Sequence, residues 1–218
     1  MSTERGIVIA IDGPAGAGKS TVSKMLARDL GLRYLDTGAM YRALALKAFQ
    51  HGIDSNDGNR IADLMEHTEI AFGPGDPQQV LLDGADVTSK IRTLEIGELA
   101  SKVSTHQPVR AALVRRQQEM VREGNVVLEG RDATTVIAPD ADVKVYLTAS
   151  LEERAKRRSL ELGHTGEFEN VRSQIVARDH RDITRQVSPL LVAEGAVLIE
   201  SGGLSPEEVV GKIKEAIP

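Results

Sequence analysis

The sequence contains no cysteine and no tryptophan, and aromatic residues make up only 3% of it. The absence of cysteine excludes disulfides, thiolate metal sites and a cysteine nucleophile. So few aromatic side chains provide little material for stacking nucleic-acid bases. A net charge of −5 also argues against a general polyanion-binding surface. We therefore expect no nucleic-acid partner.

Long apolar runs are missing as well. The N-terminal run GIVIAI, residues 6–11, is far shorter than a membrane span and lacks the layout of a signal peptide. We therefore expect a cytoplasmic enzyme with no membrane partner. The 218 residues, 41% hydrophobic and 27% charged, suit one globular α/β domain with an insertion.

A glycine-rich segment follows the apolar run directly. GPAGAGKST, residues 13–21, fits the phosphate-binding pattern G-x-x-x-x-G-K-[ST], the P-loop. Its glycines let the backbone wrap closely around an anion, which also meets the positive end of the following helix dipole. Lys19 is expected to reach the β- and γ-phosphates of a nucleoside triphosphate, and the Ser20 hydroxyl to bind Mg²⁺. The predicted nucleotide-binding residues are Gly13, Pro14, Ala15, Gly16, Ala17, Gly18, Lys19, Ser20 and Thr21.

Short β-branched runs alternate with helical patterns, which predicts an α/β fold with a parallel sheet covered by helices on both faces. The predicted strands are Ile7–Ile11, Arg33–Leu35, Val126–Leu128, Val143–Leu147 and Val197–Ile199. The predicted helices lie near residues 20–30, 39–51, 59–67, 95–103, 108–123, 151–162, 169–183 and 205–216. Residues 68–91 interrupt this alternation with Gly/Pro and Asp-Gly turns, and they predict a small β insertion.

A P-loop alone does not say where the γ-phosphate goes. A regulatory GTPase would need N-K-x-D and D-x-x-G motifs, and the sequence contains neither. A motor ATPase would usually have Asp-Glu at the end of a hydrophobic strand, whereas VVLEGRD has only Glu129 in that place. Glu129 could hold Mg²⁺ through water, or it could be a solvated carboxylate, and both interpretations stay open.

Arginines occur where the loops after strands are expected to gather. Arg42 follows the second predicted strand and Arg131 the third. Because loops after the carboxyl ends of parallel strands form the ligand crevice, both should face the P-loop phosphates. Two guanidinium groups there imply a second anion besides the triphosphate.

A second arginine-rich stretch covers residues 154–185, with eight Lys and Arg against five Asp and Glu. It could be a solvated pair of charged helices, and Glu153 and Arg157 have the i,i+4 spacing of a surface ion pair. It could instead be a lid whose arginines close over the transferring phosphoryl group. We favour the lid, because phosphoryl transfer depends on positioning and charge neutralisation.

Six motifs, in this order, resemble those of the bacterial cytidylate kinases: GPAGAGKST, LDTGAMYR, IRT, GRD, ERAKRR and RDHRDITR. The resemblance implies the P-loop nucleoside-monophosphate kinase fold, with a five-stranded parallel sheet. It implies transfer of the γ-phosphoryl group of ATP to CMP or dCMP, with Mg²⁺, by a protein that is usually monomeric. It also implies a core of residues 1–37, 104–150 and 186–218, a monophosphate-binding region near 38–103 and a lid near 154–185.

The resemblance assigns roles to individual residues as well. The acceptor phosphate would be contacted by Thr37, Tyr41, Arg42, Arg131 and Arg185, cytosine by Ser101, Arg110 and Asp132, and the acceptor sugar by Arg178 and Asp182. Arg154, Arg157 and Arg158 match the lid, with Arg157 on the nucleotide. Catalysis would rest on Lys19, Arg131, Arg154, Arg158 and Arg185.

The chemistry of these residue types fits the roles. Asp132 and Ser101 can accept from the amino group of cytosine, while Arg110 donates to its acceptor side. Uracil would place an acceptor opposite the carboxylate, and such mispairing can discriminate by orders of magnitude. A phosphate monoester is mostly dianionic at pH 7, so we expect no general base.

The segment GRDATT departs from the family, which commonly has Met or Ile and then Gly-Thr after GRD. Here Ala133 and Thr134 take those two places. If the position of Thr134 required a positive φ, a β-branched residue would strain the turn. The change lies beside Asp132, so base preference and acceptor affinity are the two properties that it could affect.

Two other interpretations stay open. A P-loop kinase of another small acceptor, such as UMP or an alcohol, would need an Asp base if the acceptor were an alcohol, and Asp36 and Asp132 are candidates. A nucleotide-gated RNA-binding protein would use the arginine cluster instead. It predicts salt-sensitive RNA binding and no transfer between nucleotides.

Overall fold

The computed structural model of the chain describes residues 5–161, 163 and 168–218. Residues 162 and 164–167 of the predicted lid therefore lie outside the described residues. Among the residues that are described, no helix has the length and apolarity needed to cross a membrane.

We number the helices and strands of the described residues in chain order. The helices are α1 Lys19–Leu30, α2 Thr37–Gln50, α3 Gly58–Glu66, α4 Leu94–Val103, α5 Gln107–Val121, α6 Leu151–Glu161, α7 Phe168–Thr184 and α8 Pro206–Lys214. The strands are β1 Val8–Asp12, β2 Arg33–Asp36, β3 Ile70–Phe72, β4 Val80–Leu82, β5 Ala85–Asp86, β6 Val126–Gly130, β7 Val143–Thr148 and β8 Val197–Glu200. A 3₁₀ turn covers Lys90–Arg92, and a single π-helical turn covers Ala133–Ile137.

The chain forms two compact units. The first contains the described residues of Met1–Leu35 together with Met120–Pro218, and the second is Asp36–Glu119. The division into core, monophosphate-binding region and lid expected from the resemblance stays a prediction.

The first unit is built on the five-stranded parallel sheet that the resemblance implied, and its strand order is β2-β6-β1-β7-β8. In the centre, Val8 of β1 lies opposite Val126 of β6, and Ile9 lies opposite Val143 of β7. Every residue of β1 is buried, as expected for a parallel strand covered on both faces. The carboxyl end of this strand leads directly into the P-loop.

The core of the first unit explains why the P-loop has a rigid support. Ile9 and Ile11 of β1 pack with Leu26 of α1, Val145 of β7 and Ile213 of α8, all of which are buried. The strand and the helix on either side of the phosphate-binding loop are therefore fixed in the same apolar cluster.

The second unit contains the predicted β insertion as a small antiparallel sheet, β3-β4-β5, with Ile70 opposite Leu82. Helices α2 and α4 pack together in this unit. Helix α2 begins at a side-chain cap, since the Asp36 carboxylate accepts from the Ala39 N–H at 2.9 Å. The predicted strands and helices are confirmed, with bounds shifted by a few residues.

Candidate active site

The P-loop, between β1 and α1, wraps closely against the rest of the first unit. Gly13 has φ +151°, and a Cβ there would lie 1.9 Å from the Leu147 carbonyl oxygen. Gly16 has φ +76°, and its Cβ would lie 2.8 Å from the Arg154 carbonyl oxygen. Only glycine fits at these two positions, because both the backbone angle and the close approach exclude a side chain.

Lys19 is buried at the start of α1, where its Nζ donates to the carbonyl oxygens of Gly13 and Pro14, each at 2.8 Å. Burial, helped by the nearby positive charge of Arg131, lowers the pKa of the Lys19 amine from 10.5 to about 7. The amine is therefore readily protonated when a phosphate anion arrives, and binding of that anion will favour its charged form.

This pKa predicts a pH-dependent nucleotide affinity. Between pH 7.5 and 9 the free protein holds Lys19 mostly neutral, so a bound polyphosphate must recruit a proton, and the Kd of ADP should rise more than about tenfold. Titration calorimetry in two buffers of different ionisation enthalpy will detect this uptake as a buffer-dependent heat. The variant Lys19→Arg, whose guanidinium stays charged, should bind ADP without taking up a proton. A Kd of ADP that does not change with pH in either protein would contradict the assignment.

The magnesium ion implied by the resemblance can be tested against the side chains near the P-loop. Ser20 is exposed in the first turn of α1 and offers the kind of oxygen ligand that Mg²⁺ takes. No group of three or more His, Cys, Asp and Glu in the described part of the chain could hold a metal. These residues fit a Mg²⁺ bound through Ser20 and substrate phosphates rather than by a dedicated protein cage.

Glu129 is buried at the end of β6, and the Tyr34 hydroxyl donates to its Oε1. The interpretation of Glu129 as a solvated strand-end carboxylate is therefore wrong. Its negative charge favours the protonated form of Lys19, which shows that the two groups interact electrostatically.

The P-loop is held from outside by an ion pair that sequence reasoning missed. Asp179 of α7 accepts from the Ala15 N–H at 3.0 Å and from Nη1 of Arg154, which also donates to the Ala15 carbonyl oxygen at 2.9 Å. The ion pair therefore forms hydrogen bonds with both the N–H and the carbonyl oxygen of Ala15 in the P-loop. The only signal in the sequence was a second acidic residue in RDHRD, three positions before Asp182.

Apolar contacts reinforce this attachment. Ala15 packs with Ala155 of α6 and with Val171 and Ile175 of α7 in a small buried cluster. The two helices predicted as a lid, α6 and α7, are therefore in direct contact with the P-loop.

The other two lid arginines on α6 have different partners. Arg157 donates to Glu153 at 3.0 Å, which confirms the predicted i,i+4 pair, and to the Ser201 hydroxyl at 2.9 Å. Its Nη1 lies 3.6 Å from the position of a Cβ on Gly18, so it is beside the P-loop. Arg158 pairs with the exposed Glu161 at 2.9 Å, whereas Arg154 pairs with Asp179.

Three arginines gather around one buried carboxylate at the other end of α7. Asp182 Oδ2 accepts from Nε of Arg131 at 2.8 Å and lies 3.9 Å from Nε of Arg178, while its Oδ1 lies 3.6 Å from Nη1 of Arg185. Burial alone would raise the pKa of Asp182, but the three guanidinium groups lower it below the usual 3.8. The result is a cluster of three guanidinium groups around one shared carboxylate.

Asp132 lies beside this arginine cluster. It is buried, and its Oδ1 is 3.9 Å from Nη2 of Arg185. The predicted acceptor-binding residues of the first unit are therefore neighbours, although they come from a loop after β6 and from α7 and its end.

The remaining predicted acceptor residues lie in the second unit. The Arg110 guanidinium is 5.4 Å from the centre of the Tyr41 ring and donates to the Ser104 carbonyl oxygen at 3.1 Å. Arg110 and Ser101 are buried, and so is Thr37 at the start of α2, while Arg42 is half-buried on the same helix.

Comparisons with known proteins identify the family to which this chain is similar. The family described as Cytidylate kinase matches residues 9–218. The chain is 49% identical to the cytidylate kinase of Carboxydothermus hydrogenoformans over 213 residues, which are 96% of each chain. It is 50% identical to that of Desulforamulus reducens over 208 residues, 94% of each chain.

A solved structure gives evidence on the fold alone. The shikimate kinase of Bacteroides thetaiotaomicron aligns with 96% of this chain and 97% of its own, with a TM-score of 0.51 and 14% identity. At that identity only the architecture is shared. The family model and the sequence matches along nearly the whole chain show that the chain belongs to the cytidylate kinase family.

Proposed function

We propose that the protein transfers the γ-phosphoryl group of ATP to CMP or dCMP, giving ADP and CDP or dCDP. The observation that carries this proposal is the arginine cluster of Arg131, Arg178 and Arg185, which lies in the same compact unit as an intact P-loop. A P-loop alone binds one polyphosphate, whereas a second cationic cluster, with Arg185 buried and Arg131 and Arg178 half-buried, fits a second, phosphorylated substrate. The names of the relatives that match along the whole chain support cytidine as its nucleoside.

On the donor side, the P-loop backbone and Lys19 hold the phosphates of ATP. Arg157, beside Gly18, contacts the nucleotide. Arg154 and Arg158 neutralise the charge that develops on the transferring group. Because the Arg154 guanidinium donates a hydrogen bond to Asp179, it is already oriented before the nucleotide binds.

On the acceptor side, the roles follow the resemblance and the chemistry of each group. The phosphate is bound by Thr37, Tyr41, Arg42, Arg131 and Arg185, cytosine is read by Ser101, Arg110 and Asp132, and the sugar is contacted by Arg178 and Asp182. The acceptor oxygen is anionic at neutral pH, so it attacks without a general base. Mg²⁺ at Ser20 would supply further neutralisation of the phosphate oxygens.

The finer parts of the proposal concern the organisation of the protein. It acts as a cytoplasmic monomer without a nucleic-acid partner. Residues near 38–103 form the monophosphate-binding region, and those near 154–185 form a short lid.

The test is release of ADP from ATP and Mg²⁺ with one acceptor at a time: CMP, dCMP, UMP, AMP or none. We expect fast turnover with CMP and dCMP, little with UMP, and none without an acceptor. Comparable turnover with UMP would move the assignment to a broader pyrimidine kinase. Release that ignores the acceptor would make the protein an ATPase and defeat the proposal.

Replacing Asp132 should affect base selection more than turnover. In Asp132→Ala, the ratio of kcat/KM for CMP to that for UMP should fall by about a hundredfold, because the carboxylate that accepts from the cytosine amino group is gone. Steady-state kinetics with both acceptors measures this ratio. Asp140→Ala, which removes an exposed carboxylate paired with Arg5, is the matched control and should leave it unchanged. An equal loss on CMP and UMP would remove Asp132 from base recognition.

A further inference from the structure

Asp12, the last residue of β1, is completely buried and binds the loop after β6 through three hydrogen bonds. Its Oδ1 accepts from the Ala133 N–H at 2.9 Å. Its Oδ2 accepts from the Thr134 N–H at 2.7 Å and from the Thr134 hydroxyl at 2.6 Å. One carboxylate therefore fixes two consecutive residues more than 100 positions away in the sequence.

The residues that Asp12 binds begin the π-helical turn Ala133–Ile137. The first N–H groups of a helical turn have no partner within the turn, and Asp12 supplies one for residues 133 and 134. Within the turn, the N–H groups of Val136 and Ile137 both donate to the carbonyl oxygen of Asp132. The Asp12 carboxylate thus fixes the start of this turn. It thereby also fixes the position of Arg131 and Asp132, the two residues before the turn.

Thr134 adopts this turn without backbone strain. The described non-glycine residues with positive φ are Asp83, Asn125 and Ser188, so Thr134 does not need the conformation that favours glycine. A glycine in this place would keep the backbone hydrogen bond to Asp12 and lose the one from the hydroxyl. The threonine therefore adds a third bond to the contact.

The two residues of this contact are next to the sites proposed for two different substrates. Asp12 is followed by Gly13, whose carbonyl oxygen accepts from Lys19 in the donor loop. Thr134 is preceded by Arg131 and Asp132, to which the proposed function gives the acceptor phosphate and base. The contact lies inside the first unit and is buried at both ends, with Ala133 and Thr134 at 0% and 2% exposure.

We propose that Asp12 and Thr134 form a positioning pair that sets Arg131 and Asp132 in register with the P-loop. The inference rests on the proposed function, because it assumes that Arg131 and Asp132 hold the acceptor. Neither residue touches the reacting atoms. They act by fixing the loop that does, and small misplacements of such groups lower rates strongly.

The charged surroundings of Asp12 suit this role. Burial raises the pKa of its carboxyl, and the negative charge of Asp132 does so too, while the hydrogen bonds from residues 133 and 134 oppose both. Lys19 interacts with it as the nearby positive charge. Three converging donors fit the ionised carboxylate, so loss of the Thr134 hydroxyl removes support from a charge that burial already penalises.

The test compares Thr134→Val, which keeps the shape and loses the hydroxyl, with Thr134→Ser, which keeps the hydroxyl. In Thr134→Val, kcat with CMP should fall about tenfold and the KM for CMP should rise, while the KM for ATP changes less than twofold. Thr134→Ser should recover most of the loss. Thr105→Val is the matched control, since its hydroxyl donates to the Lys102 carbonyl oxygen at 2.7 Å, outside the regions proposed to bind substrate.

The outcomes separate this inference from the proposed function. If the unchanged protein shows no CMP-dependent turnover, the proposed function fails. If that protein is active and Thr134→Val keeps its kcat and both KM values, only the positioning pair is overturned. Equal impairment of Thr134→Val and Thr134→Ser, with equal loss of thermal stability, would also overturn it, because the hydroxyl would then carry no specific role.

Discussion

Arg131→Ala should lower kcat/KM for CMP by about a thousandfold, the loss typical of a phosphate-binding arginine in phosphoryl transfer. The reason is geometric as well as electrostatic. Nε of Arg131 is held by Asp182 at 2.8 Å, and its Nη1 donates to the Gly130 carbonyl oxygen at 3.1 Å, so the guanidinium is oriented before any substrate binds. Arg131→Lys should recover little, because an ammonium group cannot reproduce the planar fork.

Steady-state kinetics with CMP and ATP measures this effect, and thermal denaturation checks that the fold is intact. Folding should survive, since Asp182 keeps Arg178 and Arg185 as partners. Arg116→Ala removes an exposed arginine paired with Glu119 and is the control. A loss of less than tenfold in Arg131→Ala would place the acceptor phosphate elsewhere.

Asp182→Asn should lower the free energy of unfolding by about 3–5 kcal/mol, the range for removing one partner from a buried ion pair. The variant leaves Arg131, Arg178 and Arg185 close together without the carboxylate that all three face. The native pKa of Asp182 lies below 3.8, so its stabilising effect is present above that pH. It is lost as the pH falls through the lower native value.

Denaturation with and without inorganic phosphate tests the electrostatic origin of this effect. Phosphate should stabilise Asp182→Asn more than the unchanged protein, because the anion replaces the missing negative charge among the arginines. Asp29→Asn removes an exposed partner of Lys214 and should change stability much less. If phosphate stabilises both proteins equally, the missing negative charge of Asp182 is not the cause of the lost stability.

The sheet and the P-loop could be predicted because their signals are local. A β-branched run, a glycine-rich loop and a helical pattern lie within 25 consecutive residues, and each was found in its expected place. The second sheet was predictable from its Asp-Gly and Gly/Pro turns for the same reason.

The contacts that arrange the candidate site were not predictable in this way. Asp179 meets Ala15 across 164 residues, and Asp12 meets Thr134 across 122. Neither carboxylate belongs to a motif that names its partner, so only the folded chain reveals the pairing. The same holds for Glu129, whose buried carboxylate accepts a hydrogen bond from the Tyr34 hydroxyl, 95 positions away.

Attachment of the P-loop to α6 and α7 has a thermodynamic consequence. With Ala15 packed in an apolar cluster and bonded on both sides, the loop acquires its shape when the protein folds rather than when the nucleotide arrives. The conformational entropy of ordering those residues is therefore already lost in the free protein. Nucleotide binding then keeps more of its favourable contact energy as affinity, which is the advantage of a preorganised site.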